Sequence, residues 1–162
     1  MEVVEGTASV ADPGAFVERL QAVGDEHDAT IQAFDARYVV DRNHLERAVA
    51  LADRAIDRGE NVARDRAMEI MCYVAGRRQI QRALETGVSV GECPAVVLVD
   101  GGDEAAAADA VGDLLDPAET LGEYDPDRVA EYFEIGEGEL AATGGGYPEL
   151  VRERVALLDV EK

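Results

Sequence analysis

The sequence predicts a single-domain α+β fold: a small, mostly antiparallel sheet packed by several helices, with a helical C-terminal quarter. A chain of 162 residues suits one domain with a real core, at roughly 100–200 residues per domain. Short apolar runs of strand length stand among stretches of helical periodicity, without the strict alternation of a βαβ chain. No repeat period and no stretch of linker composition divides the chain, so residues 1–162 read as one unit.

Taken in order, Val3-Val4 reads as a short strand. Asp12-Pro13 is a helix cap followed by proline at the first helical position, with Phe16, Leu20 and Val23 at helical spacing, which predicts a helix over 13–23. Ala29 to Phe34 alternates small or apolar with polar residues and ends at Asp35; it is a strand, with Val3-Val4 as its expected partner. Asp41 or Asn43 caps the clearest helix, whose stripe of Leu45, Ala48, Val49, Ala52, Ala55 and Ile56 ends at Gly59.

Asp65 opens a second long helix, apolar nearly all round and therefore central, ending at Gly76. A third, over about 77–86, is expected to bury Ile80, Ala83 and Leu84 and to hold Arg78 and Arg82 on one side. Ala95 to Val99 is an uninterrupted apolar run closed by Asp100-Gly101-Gly102, a strand covered on both faces. Beyond it the pattern loosens: Asp103 to Leu115 is rich in Ala and acids, and Asp116-Pro117 and Asp125-Pro126 each read as a helix start. Thr143 to Gly146 reads as a flexible turn, and Pro148 begins a last helix with Leu150, Val151, Val155, Leu158 and Val160.

The formal net charge is −20, from 35 acids against 15 bases, and 14 of those bases are Arg. Such a balance, nearly without Lys, is the composition of a halophile's surface, soluble where salt screens self-repulsion. At face value it argues against a nucleic-acid partner, which normally meets a basic footprint. The charge is uneven, however. Residues 37–82 hold ten Arg and seven acids, a net of +3, while the other 116 residues hold five bases and 28 acids, a net of −23. Two readings of that block stand open: guanidinium groups kept for a polyanion, or Arg paired with acids one turn away, as Arg54 with Asp57.

Catalytic constellations are not apparent. Cys72 and Cys93 are spaced unlike any metal motif and read as buried thiols; His27 and His44 stand apart from ligand spacing, and His44 beside a helix start reads as a surface or capping residue. No Walker, dinucleotide or nucleophile-elbow motif is present, so neither an enzyme, a cofactor nor a metal is expected. The N-terminus has neither a basic n-region nor an apolar h-region, and no window reaches the ~18 apolar residues of a membrane span, so a cytoplasmic protein is expected. What remains is the polar stretch of Asn61, Arg64, Arg66, Glu69, Tyr73, Arg77, Arg78, Gln79 and Arg82, residue types that bind phosphate or stack on bases. Glu69, Tyr73 and Arg77 stand four apart; they would share a face, as a Glu–Arg ladder or a binding stripe, if the helix ran on through Gly76.

These residues also carry a family resemblance. Ile31-Gln32-Ala33-Phe34-Asp35-Ala36, the helix containing His44-Leu45, Ala48-Val49 and Ala52, then Asn61, and above all Glu69-x-x-x-Tyr73-x-x-Gly76-Arg77-Arg78-Gln79-Ile80-x-x-Ala83-Leu84-x-x-Gly87 resemble the archaeal accessory subunit of the KEOPS complex, related to the PRPK-binding protein (TPRKB) of animals. The match spans most of residues 29–102; the Arg-Gln-Ile segment is its specific part. The resemblance implies a non-catalytic subunit of the machinery that makes N6-threonylcarbamoyladenosine in tRNA. Such a subunit binds and stimulates the kinase-like ATPase of the complex and holds the single-stranded CCA end of tRNA. Carried onto this chain, it nominates Asn61, Arg64, Tyr73, Arg77, Arg78, Gln79 and Ile80 for RNA. It nominates Leu150, Val151, Val155 and Leu158 for the kinase-like partner, with ordinary core packing as the competing reading. A protein adaptor that binds no RNA is the alternative. The near absence of Lys departs from many relatives and puts the strength of RNA binding in question more than its place.

Overall fold

The computed structural model describes residues 1–161; Lys162 lies outside the described residues. Strands β1 (Glu2–Val10), β2 (Thr30–Asp35), β3 (Gly91–Asp100) and β4 (Asp116–Pro117) form one antiparallel sheet in the order β2-β3-β1-β4. Helices are α1 (Pro13–His27), α2 (Arg42–Asp57), α3 (Arg66–Ala75), the single turn α4 (Ile80–Ala83), α5 (Glu104–Gly112), α6 (Pro126–Tyr132), α7 (Glu137–Ala142) and α8 (Gly146–Glu161). The fold is α+β, as expected. Among the described residues no helix is long and apolar enough to cross a membrane.

The sheet is a middle layer with a core on each face, because alternate strand residues point to opposite sides. Ile31, Ala33, Ala95, Val97 and Val99 face a core with Phe16 and Leu20 of α1 and Ala107 and Val111 of α5. Phe34, Val96 and Leu98 face the larger core, built with α2, α3 and α8. Residues 95–99 are completely buried, which is why their sequence is apolar without alternation.

Several local signals act as read. Asp12 caps α1 by accepting from the Gly14 amide at 3.0 Å, and Asp41 caps α2 by accepting from the His44 amide at 2.8 Å. Asp125 caps α6 in the same way. Other expectations are corrected. Val3-Val4 belongs to β1, which pairs with β3 and not with the 30–35 strand; the extended apolar β3 satisfies both neighbours. Asp116-Pro117 does not start a helix: it pairs with Gly6 and Thr7 as β4, and proline is tolerated on an edge strand because its missing N–H leaves no ladder bond unmade.

The third helix is shorter than 77–86. Gly76 ends α3 at φ +63°, and Arg77 to Gln79 are a connector, so Arg78 and Arg82 share no helical face. Of Ile80, Ala83 and Leu84 only Ala83 is buried; Ile80 and Leu84 are 39% and 50% exposed. His44 is not at the surface. It is fully buried, its Nδ1 accepting from the Val40 amide at 3.3 Å and its Nε2 donating to the Val74 carbonyl at 2.7 Å. Burial in that apolar setting lowers its pKa to about 4, keeping the ring neutral.

Candidate functional site

The site begins with how α3 ends. Gly76 takes the left-handed conformation that glycine adopts without penalty, its amide donating to the Tyr73 carbonyl at 3.1 Å and that of Arg77 to the Cys72 carbonyl at 3.0 Å. That pair of bonds turns the chain off the helix axis before Arg77, so Glu69, Tyr73 and Arg77 do not line one face.

Glu69 is fully buried. Its Oε1 accepts from the amides of Val62 and Ala63, both at 2.9 Å, and so fastens the loop between α2 and α3 onto α3. Arg66 is also a strut: it donates to Asp53 of α2 at 2.7 and 2.9 Å and to Asp100 at the end of β3 at 2.7 Å. Tyr73 is fully buried, its hydroxyl donating to Asp159 of α8 at 3.0 Å, and burial is the first cause that raises its pKa. Arg77 is half-buried; it donates to the Tyr132 carbonyl and lies 4.9 Å from the centre of the Tyr132 ring. Burial of that ring pushes the Tyr132 phenol up to about 12.

The basic block thereby divides. Arg37, Arg42, Arg54, Arg66, Arg77 and Arg82 form ion pairs with Asp35, Glu46, Asp159, Asp53 with Asp100, Glu134 and Glu85. Arg47, Arg58 and Arg64 are exposed and carry no ion pair among the described residues. Arg78 and Gln79 are exposed on the connector after Gly76. Of the seven residues nominated for RNA, five reach the surface: Asn61, Arg64, Arg78, Gln79 and Ile80. Asn61 is further oriented by its side-chain amide, which donates to the Ala63 carbonyl at 2.8 Å. A shallow hollow of about 500 Å³ joins the two loops, lined by Val62, Arg78, Gln79, Ile80, Gln81 and Arg82.

A family model described as Kinase binding protein CGI-121 matches residues 8–159. The chain belongs to the CGI-121 family. No curated protein matches it.

In this CGI-121 chain the four residues nominated on the C-terminal helix sit inside: Leu150, Val151, Val155 and Leu158 are 3%, 0%, 0% and 2% exposed and belong to the larger core. The outward apolar residues of α8 are Leu157 and Val160, at 41% and 80%, and α2 adds Ile56. Spacing alone could not tell the buried stripe from the presented one, because α8 has apolar residues on both. Sequence reading also passed over Val62, whose exposure in an otherwise polar loop is a signal only once Glu69 is seen to hold that loop in place. Among the described residues no cluster of three or more His, Cys, Asp and Glu is arranged to hold a metal ion.

Proposed function

We propose that this chain is the accessory subunit of a KEOPS-type tRNA threonylcarbamoyladenosine complex. It binds and stimulates the kinase-like ATPase subunit and recruits tRNA by its 3′ CCA end, without catalysing a reaction itself. Membership of a kinase-binding family supports the partner. The observation that carries the RNA half is the hollow between two loops, lined by Val62 on one and Arg78, Gln79 and Ile80 on the other, with Asn61 and Arg64 exposed on either side of Val62 in the sequence, in a chain whose net charge is −20.

Guanidinium groups grip phosphate in a fork and stack on bases, and an exposed Ile and a Gln supply an apolar contact and an edge hydrogen bond. Stacking and hydrogen bonds matter here because counterion release contributes little in concentrated salt. Tyr73 and Arg77 act on this surface indirectly, by fixing α3 and the start of the connector through Asp159 and Tyr132. The partner surface is α8, whose buried stripe of Leu150, Val151, Val155 and Leu158 anchors it to the core while Leu157 and Val160 face outward.

Binding of full-length and CCA-less tRNA in molar salt tests the RNA half, run beside copurification of the ATPase subunit. Trimming the CCA end and the double change Arg78→Ala, Gln79→Ala should each weaken binding by about tenfold or more, some 1.4 kcal/mol. Copurification with no tRNA affinity in any form would leave the protein adaptor, a reading favoured by the six block arginines already engaged in ion pairs.

A further inference from the structure

Among the described residues the outer edge of β2 has no ladder partner, since β2 pairs there with β3 alone. Along an antiparallel strand the N–H and C=O of one residue point to the same side, and the side alternates with each residue. The Ala33 amide donates to Oε1 of Gln32 at 3.0 Å, so the backbone groups of Ala33, and with them those of Ile31, face away from β3. Gln32 Nε2 in turn donates to the Ala67 carbonyl of α3 at 3.0 Å. One side-chain amide thus accepts from the edge and donates beyond it, the part played by a peptide group in an adjoining strand.

A groove of about 540 Å³ follows this edge, well within the ~300–1,000 Å³ that ligand sites span. α1 walls it on one side of the sheet with Val17 and Leu20, and α3 on the other with Met68 and Met71; Leu84 and Val88 add to its apolar lining. Methionine side chains adapt to varied apolar partners. The charged residues of the lining are Glu18 and Asp65, and none is Arg, Lys or His. A phosphate-bearing strand finds no cation here. None of the seven residues nominated for RNA lines the groove.

We propose that this groove docks an extended peptide segment of a protein partner, apolar at alternate positions and basic between them. The segment adds to the sheet beside β2 and takes over the hydrogen bond that Gln32 now makes with Ala33. Strand addition draws affinity from main-chain bonds and specificity from pockets for alternate side chains; the β2 edge, buried beneath Gln32 at the floor of an apolar groove, supplies both once Gln32 moves aside. The acidic rim selects the basic positions by charge.

The full chain, isotope-labelled and in molar KCl, is titrated with a capped Lys-Val-Lys-Val-Lys-Val-Lys peptide, the same peptide with proline at its central Val, and a CCA-ending oligonucleotide. The lysine peptide should saturate, show cross-strand contacts with Ile31 and Ala33, and slow amide exchange at Ile31. Proline removes a donor and should weaken binding by about tenfold. Leu84→Arg, at a half-exposed position, should weaken it by a similar factor with the melting temperature unchanged, whereas Gln32→Ala should strengthen it a few-fold by freeing the edge. Absence of saturation, contacts elsewhere than β2, indifference to proline, or filling of the groove by the oligonucleotide in place of the peptide would each overturn the proposal.

Discussion

α3 and the two loops that flank it come from one polar, Arg-rich stretch of sequence, yet they use their polar groups in opposite directions. On α3 they point inward. Glu69 holds the preceding loop, Tyr73 reaches Asp159, and Arg66 ties α2 to the end of β3. On the flanking loops Arg58, Arg64, Arg78 and Gln79 face solvent. Residue type therefore says little about role in this region. What separates the groups is burial, and each polar group carried inside is satisfied there, because a buried polar group persists only when it is hydrogen-bonded.

The inward set is where substitution should cost most. Glu69→Ala leaves two amides, those of Val62 and Ala63, without an acceptor in a buried setting. We expect a loss of about 3 kcal/mol, read from denaturant unfolding, together with faster hydrogen exchange through the 59–65 loop. Glu69→Gln keeps one acceptor and should recover part of the loss. If Glu69→Ala is as stable as the parent, the carboxylate does not hold the loop and the contrast between helix and loops fails.

His44 belongs to the same inward set through its bond to the Val74 carbonyl of α3. Its pKa is about 4 in the fold against 6.5 in the free side chain, so between those values the unfolded chain binds the proton more readily. Stability from this residue is complete above pH 6.5 and falls as the pH drops toward 4, by up to about 3 kcal/mol. His44→Gln, which preserves a donor and an acceptor, should flatten that part of the pH profile. An unaltered slope would place the acid sensitivity among the carboxylates.

Tyr73→Phe sharpens the comparison at a smaller size. The hydroxyl donates to Asp159, which also receives Arg54 at 2.8 Å, so its loss should cost about 1.5 kcal/mol and loosen α8 from α3. Measured well below the melting temperature, tRNA affinity should hold steady, because Tyr73 presents no surface. A fall in affinity without a fall in stability would return Tyr73 to direct contact with RNA.

How far the sequence could be read follows the same division. Caps, the β3 run and the long helices were legible, since each rests on local backbone chemistry: an Asx side chain over an orphan amide, or apolar residues at fixed spacing. The pairing of β1 with β3, the strand at Asp116-Pro117 and the shortening of α4 were not, because they depend on neighbours distant in sequence. The candidate surface was legible as a composition, the Arg block, and illegible as a list. Tyr73 has the chemistry of a stacking residue and is a buried strut, Leu150 and Val155 read equally as partner contact or core packing and are buried in the core, and Gln32 at the strand edge gave no sign until its partners were known.

The outward set should show the smallest effect on stability. Arg58 and Arg64 have no ion pair among the described residues, and exposed side chains of this kind change stability by less than about 0.5 kcal/mol when truncated. The double change Arg58→Ala, Arg64→Ala should therefore melt with the parent. If the surface binds RNA, the same change should lower tRNA affinity several-fold and leave copurification of the kinase-like partner intact. The double change Arg42→Ala, Arg47→Ala is the control: both arginines are exposed and placed on α2, and Arg42 is paired with Glu46 at 2.9 Å. It removes the same charge, so any loss through general attraction to phosphate appears in both variants, and only a loss confined to Arg58 and Arg64 marks a site.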